Sequence, residues 1–153
     1  MSTLSPDALI APWLTDRQPV RVWVIGSSIP PVVQDYAAAH AVEIALLPSH
    51  RVSDLSLAAP DAALVADPIT EPEALESLGI LRNRLVQDIF CLVSTAIPVE
   101  DLFALSFSRG QPCVSQSGEL LSFHYTLATY NHTRAWNNPK FWANPENWNK
   151  YWW

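Results

Sequence analysis

The side chains best placed for chemistry stand where apolar runs end. VRVWVIGSS closes on Gly26, Ser27 and Ser28, VADP carries Asp67, and DIFCLVST closes on Ser94 and Thr95. A glycine lets the backbone approach a ligand, serine hydroxyls and nearby amides donate hydrogen bonds, and a carboxylate accepts them or acts as a base. Gly26, Ser27, Ser28, Asp67 and Ser94 therefore form the candidate ligand-contacting set. Each has a plainer reading. Asp67-Pro68 has the chemistry of a strand-to-helix turn with Thr70 as cap, and strand-end hydroxyls commonly satisfy backbone groups.

Other catalytic designs find little support. His40, His50, His124 and His132 form no pair with zinc-like spacing, and Cys91 and Cys113 share no short metal motif with them. No metal site is expected. No G-x-S-x-G elbow presents a nucleophilic serine, and Cys113 has no base evident in the sequence. No catalytic residue can be assigned from these patterns.

The elements that must position the candidate set follow from periodicity. SPDALIAPWL opens with Ser5 as N-cap and Pro6 at the first helical position, and Pro12 limits this helix to a turn or two. VRVWVIG is a strand buried on both faces, after which Ser27 or Ser28 can cap a helix whose Val32, Val33, Tyr36, Ala37 and His40 face a sheet. VEIALLP is a second buried strand, and DAALVADP a third. Thr70 and Glu73 form a capping box for a helix running to about Val86, with Arg82 and Arg84 near its negative end. DIFCLVS is the fourth strand. IPVEDLFALSFSRG predicts a helix from Pro98 that ends before Gly110. GELLSFHYTLATYN alternates as a half-buried, antiparallel strand, with Leu121, Phe123, Tyr125 and Leu127 on its apolar face, paired with QPCVS.

Alternating strands and helices predict a three-layer α/β fold: a mainly parallel sheet with an antiparallel edge hairpin, then a Trp-rich C-terminal extension. One domain is expected over residues 1–153, with a helical lead-in (1–18), a core (20–131) and a tail packing on it (132–153). The 49% hydrophobic and 16% charged composition is that of a packed globule. A net charge of −6, with basic residues scattered, argues against wholesale nucleic-acid binding. Two cysteines, no basic leader and no apolar run near the ~20 residues of a membrane span predict a cytoplasmic protein that does not contact membranes.

The tail WNNPKFWANPENWNKYWW holds five of the seven tryptophans. Trp136, Trp142 and Trp148 recur every six residues, and Asn138-Pro139 and Asn144-Pro145 resemble N-cap and first-position pairs that each begin a turn. The tail can close the core, form a homo- or hetero-oligomer interface, or stack on bases or sugars. Its end, with Trp148, Tyr151, Trp152 and Trp153, is the candidate interface.

This order of elements, with a strand ending in glycine, an Asp at the end of VADP, and FALSF before a closing hairpin, resembles the Rossmann-like core of S-adenosylmethionine-dependent methyltransferases over roughly residues 20–131. FALSF looks like the A-G-F stretch before their hairpin, and the W-x-N-P tail is similar to that of small proteobacterial proteins of unknown function. No cofactor is expected; if one is bound, the resemblance implies S-adenosylmethionine. The departures subtract from catalysis. The first turn, GSSIPP, has one glycine and two prolines without N–H groups. The second strand ends in LLPSHR rather than an acid, although Arg51 there could pair a phosphate. The stretch from Pro48 to Asp61 is one strand–helix unit short. The expected function is that of a methyltransferase-like protein that binds a partner protein or small ligand without catalysis. A minimal methyltransferase or other nucleotide-ligand enzyme, and a structural interaction protein using the tail, are the alternatives.

Overall fold

A computed structural model describes residues 4–54, 56–116 and 118–127. Among these residues six strands form one sheet in the order β2-β1-β3-β4-β6-β5. β1 (Arg21–Ile25), β2 (Glu43–Leu47), β3 (Ala62–Ile69) and β4 (Asp88–Ser94) are parallel to one another. β6 (Gly118–Thr126) lies antiparallel between β4 and β5 (Ser108–Ser115). The edge strand β5 thus runs in the direction of β1–β4, and β6 is the inserted antiparallel strand. α1 (Pro6–Arg17) and α2 (Pro31–His40) cover one face, where Ile10, Trp13, Leu14 and Val33 pack on Val22, Val24, Leu64, Phe90 and Leu92. α3 (Leu75–Asn83) and α4 (Val99–Ala104) cover the other, where Leu78, Leu81 and Leu102 meet Trp23, Ile25, Val65, Ile89, Val93 and Phe123. Side chains of β1, β3 and β4 alternate between the two cores, which is why these segments read as continuous apolar runs.

Several expectations are corrected by packing. Helix α1 has Ser5 as its cap, as its sequence signals, yet it continues through Pro12 for 12 residues. A mid-helix proline costs ~3 kcal/mol, but Trp13 and Leu14 beyond it are buried, and Trp13 lies 5.5 Å from the Phe90 ring. Burying two such side chains stabilises by about 3–6 kcal/mol, enough to hold the second half of the helix. β2 is an edge strand with Leu46 partly exposed, not a strand buried on both faces. Neither Ser27 nor Ser28 caps α2, whose N-cap is Pro30, and His40 is exposed, stacked on Tyr36 at the helix end.

Thr70 caps nothing. β3 extends to Ile69, and a single 3-10 turn, Pro72–Ala74, leads into α3, which lacks a side-chain cap. That helix ends at Asn83. Beyond it, where the helix is expected to run on to about Val86, Leu85 is 67% exposed with φ 63° and Val86 is buried. α4 is also shorter than expected, and Gly110 belongs to β5. There the pairing runs Arg109↔Phe123 and then Pro112↔Leu121, so β5 carries one extra residue, a bulge. The buried Ser122 Oγ pins it by accepting from Gln111 N (2.8 Å) and donating to Gln111 O (3.0 Å). A Cβ on Gly110 would collide with that hydroxyl. β6 is buried on both faces at its centre rather than half-buried, because α1 reaches across β4 and β5. The expected closure by residues 132–153 lies outside the described residues.

Candidate functional site

The chain reverses its direction of travel across the sheet at β1. From β1, α2 leads outward to β2, and residues 48–61 return across the sheet to β3 on the other side of β1. Open α/β sheets place ligands at the carboxyl ends of the two strands flanking such a reversal, because diverging connections leave a crevice there. Here those ends carry Gly26-Ser27 and Asp67.

The two ends touch. Ser27 Oγ donates to Asp67 Oδ1 at 3.2 Å, and Gly26 N donates to Leu47 O at 3.1 Å, tying the turn to β2. A Cβ at Gly26 would stand 2.9 Å from Asp67 Oδ1, 3.1 Å from its Cγ and 3.2 Å from its backbone N. Glycine is required at 26 by that close approach. Pairing between β3 and β4 is interrupted from Val65 to Ile69, which frees Asp67 and Pro68 from the ladder. A cleft of about 380 Å³ opens above these residues. Ile25, Val65, Pro68 and Ile69 give it an apolar floor, and Ser27, Ser49, Asp67 and Ser77 give it polar groups. No ion pair engages Asp67 among the described residues.

Of the predicted set, the structure therefore brings Gly26, Ser27 and Asp67 together. Ser28 is exposed and does not line the cleft. Ser94 is also outside it: its hydroxyl accepts from Ala96 N at 3.2 Å, closing the turn that leads to α4. Trp148, Tyr151, Trp152 and Trp153 lie outside the described residues. Arg51 does not reach the cleft; it pairs with Asp54 at 3.0 Å. Among the described residues no group of three His, Cys, Asp or Glu side chains could hold a metal ion. Both cysteines are buried, and desolvation raises both thiols, Cys91 far above the usual range, so neither presents a ready thiolate.

Two contributions escaped the sequence. Ser77 lines the cleft from α3, although its hydroxyl is engaged with Ala74 O at 2.9 Å. Arg84, read as a helix-end cation, instead supports the cleft wall. Its guanidinium donates to the carbonyls of Val52 (3.1 Å), Asp54 (3.2 Å) and Leu57, and it lies 5.0 Å over the Trp23 ring. The segment it holds carries Pro48, Ser49, His50 and Ser53. Within that segment the Asp54 carboxyl is held down to about 2, first by the Ser56 hydroxyl and then by Arg51. The available signal was an arginine placed after a helix and opposite a long irregular stretch, but its partners are backbone carbonyls, which any sequence supplies.

Fold and cleft together define an α/β domain of three layers with a ligand-sized crevice at the carboxyl ends of its central strands. The chain belongs to a family of unknown function (DUF6231), whose profile matches residues 4–153. No curated protein of similar sequence is found. Among the described residues no helix is long and apolar enough to cross a membrane.

Proposed function

We propose that this chain is a reduced Rossmann-like, methyltransferase-like domain that binds a small ligand above Gly26 and Asp67 without turning it over. The observation that carries the reading is the close approach of Gly26 to Asp67 at the reversal point of the sheet, under an open cleft. The strand order supports a core one strand–helix unit short of the methyltransferase pattern, with its closing hairpin kept. Ser106, in the middle of Leu105-Ser106-Phe107, has φ 71°. It thus stands in the left-handed conformation that suits the glycine of an A-G-F stretch.

Binding is favoured over turnover by the lining. Among the described residues, Asp67 is the one ionisable side chain that lines this compartment, beside serine hydroxyls. Ser27 and Asp67 are within hydrogen-bond reach of each other, but an activated nucleophile also needs its base oriented by a third group, and no further ionisable side chain among the described residues lines the cleft to do so. Titration calorimetry with S-adenosylmethionine, S-adenosylhomocysteine and adenosine tests the reading on the wild type and Asp67→Ala. Submillimolar binding of at least one, weakened about tenfold by the loss of a charge-assisted hydrogen bond, is expected. Identical heats for wild type and variant with all three would remove the adenosine compounds as ligands of the cleft. Methyl transfer or cofactor breakdown by the wild type would overturn the non-catalytic part.

A further inference from the structure

The cleft does not end at Asp67. Its neighbour, a compartment of about 340 Å³, shares Ser49, Ala74 and Ser77 with it and adds His50, Ser53, Glu73, Glu76 and Ile80. The two form one groove, apolar-floored at the Asp67 end and polar at the other. Its charge is one-sided. Asp67, Glu73 and Glu76 line it, and among the described residues no lysine or arginine does.

Two arginines of the neighbouring segments are committed elsewhere. Arg51 is paired with Asp54, and Arg84 is spent on three backbone carbonyls and the Trp23 face. The start of α2, where an α/β domain would ordinarily offer backbone amides to a phosphate, begins with Pro30 and Pro31, which have no N–H to offer. The dipole of α3 accounts for an acid in its first turn, Glu76. It does not account for Asp67 on β3, nor for Glu73, which lines the same recess as Glu76 from the preceding 3-10 turn.

We infer that the groove selects a phosphate-free ligand bearing an amine or other organic cation, with its apolar part over Ile25, Val65 and Ile69 and its cationic end between Glu73, Glu76 and His50. This rests on the proposal that the cleft binds a small ligand, and it names the chemistry of that ligand. Glu73 and Glu76 are exposed, so each contributes the modest attraction of a surface ion pair. Two together give roughly a threefold to tenfold preference.

The test uses three probes that differ only in their head group: 2-phenylethylamine, 2-phenylethanol and 2-phenylethyl phosphate. Each is titrated into the ¹⁵N-labelled full chain at low salt and followed at the amides of Gly26, Ser27, Ser49 and Ser77. The amine should bind roughly threefold to tenfold more tightly than the alcohol, and the phosphate most weakly. Glu73→Gln/Glu76→Gln should bring the amine down to the alcohol's affinity and leave the alcohol unchanged. A phosphate that binds as well as the amine, or an amine advantage that survives the double substitution, overturns the inference while the cleft remains a binding site. No shift at those four amides with any probe overturns the inference, while the binding reading still stands or falls on the adenosine titrations. Charge-selective fragment binding without binding of the adenosine compounds leaves the inference standing and removes the nucleoside assignment.

Discussion

Adding one methyl group at Gly26 tests whether its contact with Asp67 shapes the site. An Ala at an unstrained glycine position normally stabilises a protein by ~0.4–1 kcal/mol, because the unfolded chain loses freedom. The structure predicts the opposite sign. The new Cβ meets the Asp67 carboxylate at 2.9 and 3.1 Å and the Asp67 backbone N at 3.2 Å. The carboxylate, being exposed, can swing away, but doing so breaks its hydrogen bond from Ser27. The backbone contact needs a shift of a few tenths of an ångström in β3. Overpacking of this kind costs about 1–3 kcal/mol, which for a chain of this size lowers Tm by about 2–4 °C per kcal/mol. The assay is urea or thermal unfolding of Gly26→Ala, Asp67→Ala and the double variant. In the Asp67→Ala background the two closest contacts no longer exist, so the methyl should cost about 1 kcal/mol less. Gly26→Ala that stabilises the protein, or that costs the same in both backgrounds, would refute the reasoning.

Two further outcomes follow from other contacts. Arg84→Met should destabilise by about 2–4 kcal/mol in urea unfolding, because it strands carbonyls that the guanidinium now satisfies; Arg84→Lys should recover only part, since an ammonium cannot fork, and both should change Trp23 fluorescence. At the opposite end of the sheet from the cleft, burial raises Asp88 and lowers His124, Arg17 reinforcing the second shift and opposing the first. Asp88's raised value gives stability that is full below its unfolded value near 3.9 and is lost as pH rises through the folded value. His124's lowered value gives stability that is full above about 6.5 and is lost as pH falls through the folded value. Scanning fluorimetry should therefore show Asp88→Asn raising Tm at pH 7 and losing that gain in acid, and His124→Gln flattening the fall in Tm below pH 6.5. Equal shifts at every pH would contradict both assignments.

Where the sequence succeeded, the signal was a period that the chain imposes on itself. VRVWVI, AALV and IFCLV are uninterrupted apolar runs of strand length, and only a sheet covered on both faces can bury all of their side chains. Their alternation with helices required parallel strands, and the alternation in LSFHYT required an added strand paired as a hairpin. Gly26, Ser27 and Asp67 were legible for the same reason, since each stands at the end of such a run. Where it misled, a local rule lost to a neighbour distant in the chain. Pro12 does not stop α1 because Phe90 receives Trp13. Gly110 is not a helix terminator because Ser122 pins a bulge beneath it. Ser94 left the site because strand order puts β3, not β4, beside β1.

The amino-acid sequence by itself determined the layers, the parallel core and the residues at the carboxyl ends of its strands, because hydrophobic period and turn chemistry are properties of consecutive residues. Only the tertiary structure decided which of those ends meet, that Arg51 and Arg84 are taken up by the linker, and that among the described residues the groove is lined by three carboxylates and by no lysine or arginine. Those outcomes depend on strand order and on backbone carbonyls. Neither is written in side-chain identity.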